Sequence, residues 1–246
     1  MGLGVGFLVG LTSIGGATLM TPFLILVLGV RPRLAIGTDL IYASCAKILG
    51  GVIHWEQGLV DVRIVRALAI GSIPGGIAGA MAVYTLERLS PAADTLLRDY
   101  IAATLLVVTL GLALRGRWHR RAATEWRSER SLGWATAGWG AAAGFIVGFT
   151  SIGSGTLVLP FLVWAYNVPA ARLVGSSVFH AAILLTLTAC LFAGFGSVEW
   201  DIAPWLIGGA LPGVALGSRL APRLPEKALR LVLMAVLLLS AWKLIR

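Results

Sequence analysis

Charge is scarce in this chain. Only 13% of its 246 residues are charged, against about 25% in soluble domains. With 58% hydrophobic residues and a mean hydropathy of +0.88, this shortage excludes a soluble globular domain and marks a polytopic membrane protein. Acidic side chains are scarcer still, 11 against 20 Lys and Arg, and Asp39 alone lies within an apolar span. Membrane-embedded hydrolysis would want a carboxylate or metal cluster beside a basic clamp. A lipid diphosphate phosphatase is therefore the weaker alternative, and no catalytic residue, metal ligand or cofactor is assigned. Cysteine is nearly absent: Cys45 and Cys190 both fall in apolar spans, which suits packing rather than a disulfide framework. The first ten residues lack the basic start of a cleaved signal peptide and read as mature structure.

What the chain does hold is 31 glycines, 9 tryptophans and a duplication. Small residues pack membrane helices and tryptophan favours the interface. The stretch 6–23, GFLVGLTSIGGATLMTPF, recurs 138 residues later as GFIVGFTSIGSGTLVLPF, identical at 12 of 18 positions. The match continues without a gap: Gly37-Thr38 with Gly175-Ser176, and Gly71-Ser72-Ile73-Pro74-Gly75 with Gly209-Ala210-Leu211-Pro212-Gly213. Apolar segments near 1–28, 34–53, 62–84 and 96–114 precede a basic stretch. Four more follow near 132–165, 172–192, 201–218 and 227–245. The expected organisation is all-helical: a first membrane repeat over 1–114, a basic cytoplasmic linker over 115–131 and a second repeat over 132–246.

Each opening segment is apolar except at a central Thr-Ser-Ile-Gly. Glycine weakens a helix and hydroxyls compete for its backbone, so each copy reads as two helical halves around a polar break. Basic loops stay cytoplasmic, and this tests whether the segment crosses or doubles back. Simple crossing places 10 Lys and Arg on one side and 9 on the other, whereas a hairpin places 13 inside and 6 outside. Limbs of about 11 residues, roughly 17 Å as helix, are too short to cross a core of about 30 Å. The chain thus reads as two inverted repeats, each opening with a broken or re-entrant segment. The net charge of +9 belongs to this topology and not to nucleic-acid binding.

Two charges lie within the second segment. A mid-membrane charge costs about 2.5–3.5 kcal/mol and by default marks function. Asp39, Lys47 and His54 share one helical sector with Ala43, Ala46 and Gly50. Eight residues separate Asp39 from Lys47, about 12 Å, too far for direct pairing. The second half replaces them with Ser177 and Leu185, and it carries His180 beside Ser176-Ser177. Asp39, Lys47, His54 and His180 are candidates for coupling or charge relay; a packing pair and a neutral packed histidine are the plain readings. Pro74-Gly75 and Pro212-Gly213 lie within spans, as kinks or as hinges.

The breaks are the strongest binding signal. Thr12, Ser13, Gly15 and Gly16, with Thr150, Ser151, Gly153, Ser154 and Gly155, offer hydroxyls and backbone N–H groups. A half-helix starting after each break would present unpaired donors and a partial positive charge to an anion. Thr38 and Ser176-Ser177 would add hydroxyls. Close glycine packing alone would not explain the recurrence of Thr-Ser. Paired breaks in the two halves of one chain point to a transporter's binding site.

These motifs, GGAT and GSGT each followed by proline, Gly37-Thr38-Asp39 with Lys47 and His54, Gly58–Asp61, and the IPGG-type segment, resemble the TauE/SafE family of membrane permeases over essentially the whole chain. The second half departs, with GSS in place of GTD. The resemblance implies a multi-pass inner-membrane permease for a small sulfur-containing anion such as sulfite or a sulfonate, in contact with the lipid bilayer. Proton or sodium coupling and a homodimer are compatible with the residues but not required by them. An anion channel is the alternative.

Overall fold

The computed structural model describes residues 3, 6, 7, 17–118, 129–220 and 226–245. Helices form throughout: α1 (Ala17–Leu26), α2 (Pro32–Glu56), α3 (Val62–Leu89), α4 (Ala93–Trp118), α5 (Glu129–Thr150), α6 (Val158–Ala165), α7 (Ala170–Gly194), α8 (Ala203–Leu220) and α9 (Glu226–Ile245). Among the described residues four helices are long and apolar enough to cross a membrane: α2, α3, Ala93–Ala113 of α4, and α7. Their starts follow local chemistry. Pro32 opens α2 where no intrahelical N–H bond is needed. The Asp61 carboxylate caps α3 by accepting the Arg63 N–H at 2.9 Å.

Large apolar side chains cover the outside. Trp205 is 81% exposed, Trp134 75% and Leu110 59%. A water-soluble monomer does not present such a surface, and tryptophans near helix ends, such as Trp55 and Trp134, suit an interfacial belt.

Inside, glycine decides the packing. A Cβ at Gly71, Gly75 or Gly79 of α3 would strike the carbonyl oxygen of Ala137, Ala141 or Phe145 on α5. One at Gly140, Gly144 or Gly148 would strike that of Leu68, Ser72 or Gly76. The numbers rise together along both helices, so α3 and α5 run parallel with their backbones in contact, as small-xxx-small stripes permit. Pro74 lies within the continuous α3 and Pro212 within the continuous α8. The glycine after each serves close approach, Gly75 to Ala141 and Gly213 to Leu3 and Phe7.

α2 and α7, the corresponding helices of the two halves, pack antiparallel. Gly37 meets Phe192 and Gly50 meets Val178, and Trp55 stacks on Phe179 at 5.1 Å. Contacts between the halves come in reciprocal pairs offset by 138 residues. Gly37 abuts the Ser197 carbonyl and Gly175 that of Leu59; Gly6 abuts Ala210 and Gly144 abuts Ser72.

The second break is described in full. α5 ends at Thr150 and α6 starts at Val158. Ser151 turns the chain with φ 64° and Gly153 with φ 108°, a region costly for a serine and cheap for a glycine. α6 then runs back along α5: the Trp139 indole donates to the Leu157 carbonyl at 3.1 Å, Phe161 stacks on Trp139 at 5.2 Å, and the Tyr166 hydroxyl lies 2.8 Å from that of Thr136. The limbs are unequal. α5 has 22 residues and α6 has 8, where about 11 each were expected, because α5 extends beyond the level of Tyr166 by the turns before Thr136.

Candidate functional site

Asp39 is the centre of the polar interior. It is 0% exposed. Its Oδ2 accepts the Thr21 hydroxyl at 2.5 Å and the Ser151 hydroxyl at 2.8 Å. Three segments therefore meet on one oxygen: α1, α2 and the turn between α5 and α6. A buried carboxylate persists where donors replace its hydration. Its Oδ1 has no partner among the described residues, nor has the hydroxyl of Tyr42, one turn further along α2 and 1% exposed.

At the break, the Thr150 hydroxyl donates to the Ile146 carbonyl at 2.7 Å and accepts the Ile152 N–H at 3.2 Å, so it caps the end of α5. Backbone bonding toward α6 resumes with Leu157 N–H to Gly153 O at 3.0 Å. The amides of Ser154, Gly155 and Thr156 lie ahead of that first returning bond, where a helix start leaves donors unspent. Ser154 is buried, and the buried Thr156 hydroxyl has no partner among the described residues.

Thr38 and Ser176 both bond to backbone groups. Thr38 donates to Leu34 O at 2.7 Å and accepts the Glu199 N–H at 2.9 Å. Ser176 accepts the Asp61 N–H at 2.8 Å. Both hydroxyls fasten the entrance of a helix from the opposite half. Ser177, next to Ser176 in the chain, is buried.

Lys47 is half-buried and has no ion pair among the described residues. The ion pair present joins Arg33 to Glu87, at the start of α2 and the end of α3. His54 lies near the end of α2, its buried Nδ1 without a partner among the described residues. His180 is 1% exposed; its Nε2 lies 2.6 Å from the Ser72 hydroxyl, while Nδ1 has no partner among the described residues. The structure thus unites Asp39 with Ser151 but leaves Lys47 two turns along α2 and binds His180 to a serine of α3. Thr12, Ser13, Gly15 and Gly16 lie outside the described residues.

Thr21, Tyr42, Ser72 and Thr156 escaped the sequence reading. Tyr42 carried a signal, since it lies three residues after Asp39 on the same helical face and aligns with His180 in the repeat. Thr21 did not, because its counterpart in the second copy is Leu159.

The sequence profile of the family described as "Sulfite exporter TauE/SafE" matches residues 1–244. The chain is 38% identical over 251 residues to a "Probable membrane transporter protein YjnA" of Bacillus subtilis, covering 100% of this chain and 97% of that one. It is 29% identical to a "Probable membrane transporter protein" of Xylella fastidiosa, over 97% and 92% of the two chains. A more distant relative, YunE of Bacillus subtilis, is 23% identical over 100% and 95%. No solved structure matches.

Proposed function

The chain belongs to the Sulfite exporter TauE/SafE family, and from that premise we propose that it is a secondary transporter of a small sulfur-containing anion, sulfite or a sulfonate, in the cell's inner membrane. The observation that carries the proposal is the turn at 151–157. It sets the Ser151 hydroxyl against Asp39 of the other half and buries Ser154 and the Thr156 hydroxyl in the same turn. A break in a membrane helix persists where protein or a watery cavity meets its freed backbone groups. Such groups hold an oxyanion through N–H and hydroxyl donors without a full positive charge. By the duplication, Thr12, Ser13, Gly15 and Gly16 supply the matching donors.

The antiparallel packing of α2 and α7 supports inverted halves. If both helices cross the bilayer, the two repeats enter it in opposite senses, in accord with the count of basic residues. The return of α6 along α5 supports a re-entrant opening segment. Inverted repeats around broken segments are the architecture of alternating access. Thr150, Ser151, Thr38 and Ser176 shape the site through the hydrogen bonds they already make, while Gly153, Ser154, Gly155 and Ser177 remain as first contacts for the anion. Asp39, Lys47 and the histidines are the groups available for coupling.

The test is flux of isotopically labelled sulfite, sulfate, thiosulfate and a short alkyl sulfonate through the purified protein in liposomes. Saturable movement with counter-exchange supports a carrier. Flux without saturation or exchange favours a channel, and no movement of any of these anions overturns the cargo assignment.

A further inference from the structure

We infer that the bodies which move are not the two sequence halves, and that Asp39 is the site where a coupling proton acts on the seam between them. The inference rests on the transporter reading and specifies its coupling.

Helix α3 belongs to the first half in sequence but to the second in space. Its glycine stripe lies backbone to backbone on α5. The Ser72–His180 bond ties it to α7, and its entrance is held where Asp61 N–H meets Ser176 and the Leu59 carbonyl meets Gly175. Helix α8 mirrors this arrangement. Glu199 N–H meets Thr38, the Ser197 carbonyl meets Gly37, and Gly213 lies against Leu3 and Phe7. One body is therefore α5, α6, α7 and α3; the other is Leu3, Gly6 and Phe7 with α1, α2 and α8. Rocking one sequence half against the other would tear glycine contacts that have no slack. Movement between the exchanged bodies leaves them intact.

The seam between these bodies is different in kind. α2 and α7 meet there at Gly37, Gly50 and Gly51, against Phe192, Val178 and Phe179, and through the Trp55–Phe179 stack, looser contacts than the backbone-on-backbone stripe of α3 and α5. Among the described residues two bonds between side chains cross from one body to the other, the partly exposed Arg33–Glu87 ion pair and the bond of Ser151 to Asp39, and the second is the buried one. The Thr21–Asp39, Ser72–His180 and Thr136–Tyr166 pairs each stay within one body.

Asp39 has the open valence for a ligand. Oδ2 is occupied, while the buried Oδ1, and the Tyr42 hydroxyl one turn on, have no partner among the described residues. A proton from water forms an O–H bond at Oδ1 and neutralises the carboxylate; its release on the other side restores the charge. The Ser151 bond is charge-assisted, roughly twice as strong as a neutral one, only while Asp39 is ionised. Proton uptake therefore loosens the seam and proton release tightens it.

The surroundings bring little competing charge. α1, the 151–157 turn and the described side chains of α8 are free of ionisable groups. α2 carries Tyr42 and Lys47, α7 carries His180 on Ser72, and α4 carries Tyr100, edge-on to Phe149 at 5.1 Å. Arg33 is engaged with Glu87.

The experiment is pulsed electron–electron spin resonance on the full chain in lipid nanodiscs, with Cys45 and Cys190 replaced by serine. Labels at Val27→Cys and Val163→Cys span the seam; labels at Ile70→Cys and Val163→Cys lie within one body, and all three positions are exposed. Moving from mildly alkaline to mildly acidic buffer is expected to shift the 27–163 distances by several ångströms and leave 70–163 unchanged. Asp39→Asn should give the acidic distribution at both pH values, Ser151→Ala should move toward it, and Asp39→Glu should keep the response. A 70–163 shift as large as the seam's, a pH-insensitive seam, a full response in Asp39→Asn, or a seam that answers to sodium and not to pH would overturn the inference. These distances are independent of cargo, so a chain that moves no sulfite loses the assignment of its substrate without touching this result.

Discussion

The hydroxyl of Thr38 accepts the backbone N–H of Glu199 at 2.9 Å across 161 residues of sequence. Ser176, the residue aligned with Thr38, accepts the N–H of Asp61, aligned with Glu199, at 2.8 Å. Each half thereby fastens the entrance of one helix of the other, Thr38 that of α8 and Ser176 that of α3. Thr38→Ala or Ser176→Ala leaves a partly buried amide without its acceptor, at an expected cost of about 1–3 kcal/mol. Hydrogen exchange should quicken at Glu199 in the first variant and at Asp61 in the second, and in neither case at both. Thr38→Ser should change neither.

Thr21 and Ser151 donate to the same oxygen of Asp39, so their contributions are coupled. Thr21→Val and Ser151→Ala are each expected to lower stability by about 1.5–3 kcal/mol, as for hydrogen bonds to charged groups. The double variant should depart from additivity by about 0.5–3 kcal/mol. Chemical unfolding in detergent micelles measures the cycle; strict additivity would mean that the two bonds do not share their acceptor.

The α3–α5 contact predicts a sharp contrast among glycines. Gly75→Val and Gly144→Val force side chains into the backbone of the opposing helix and should each cost at least about 1–3 kcal/mol, visible as a lower melting temperature. Gly111 and Gly138 face open space. Alanine at either should be neutral or should stabilise by up to about 1 kcal/mol, since glycine is a poor helix former.

Ser72 and His180 form a buried pair in which the imidazole Nδ1 has no partner among the described residues. Ser72→Ala orphans the other nitrogen and should cost about 1–3 kcal/mol. Joint replacement by Ser72→Ala and His180→Leu should recover part of that loss, because no polar group then stays buried alone. Thermal unfolding of the three variants decides it.

Much of this protein was legible in its residues because the relevant physics is local or periodic. The scarcity of charge fixed the solvent, since only lipid accepts so much apolar surface. The 138-residue offset exposed the duplication, and its Gly71–Gly75 and Gly209–Gly213 segments are where helices later meet. A lone carboxylate in an apolar run marked Asp39, because burying one without a purpose is too costly. Which donors it would find could not be read. Thr21 and Ser151 lie 18 and 112 residues away, and no periodicity links side chains brought together by helices from different halves. The tertiary structure alone decided that α3 leaves its own half to lie on α5, because that choice depends on two glycine stripes fitting each other. It also decided that Thr38 and Ser176 act as fasteners: a hydroxyl's role follows from the group that arrives within 3 Å of it, and here that group comes from the far half of the chain.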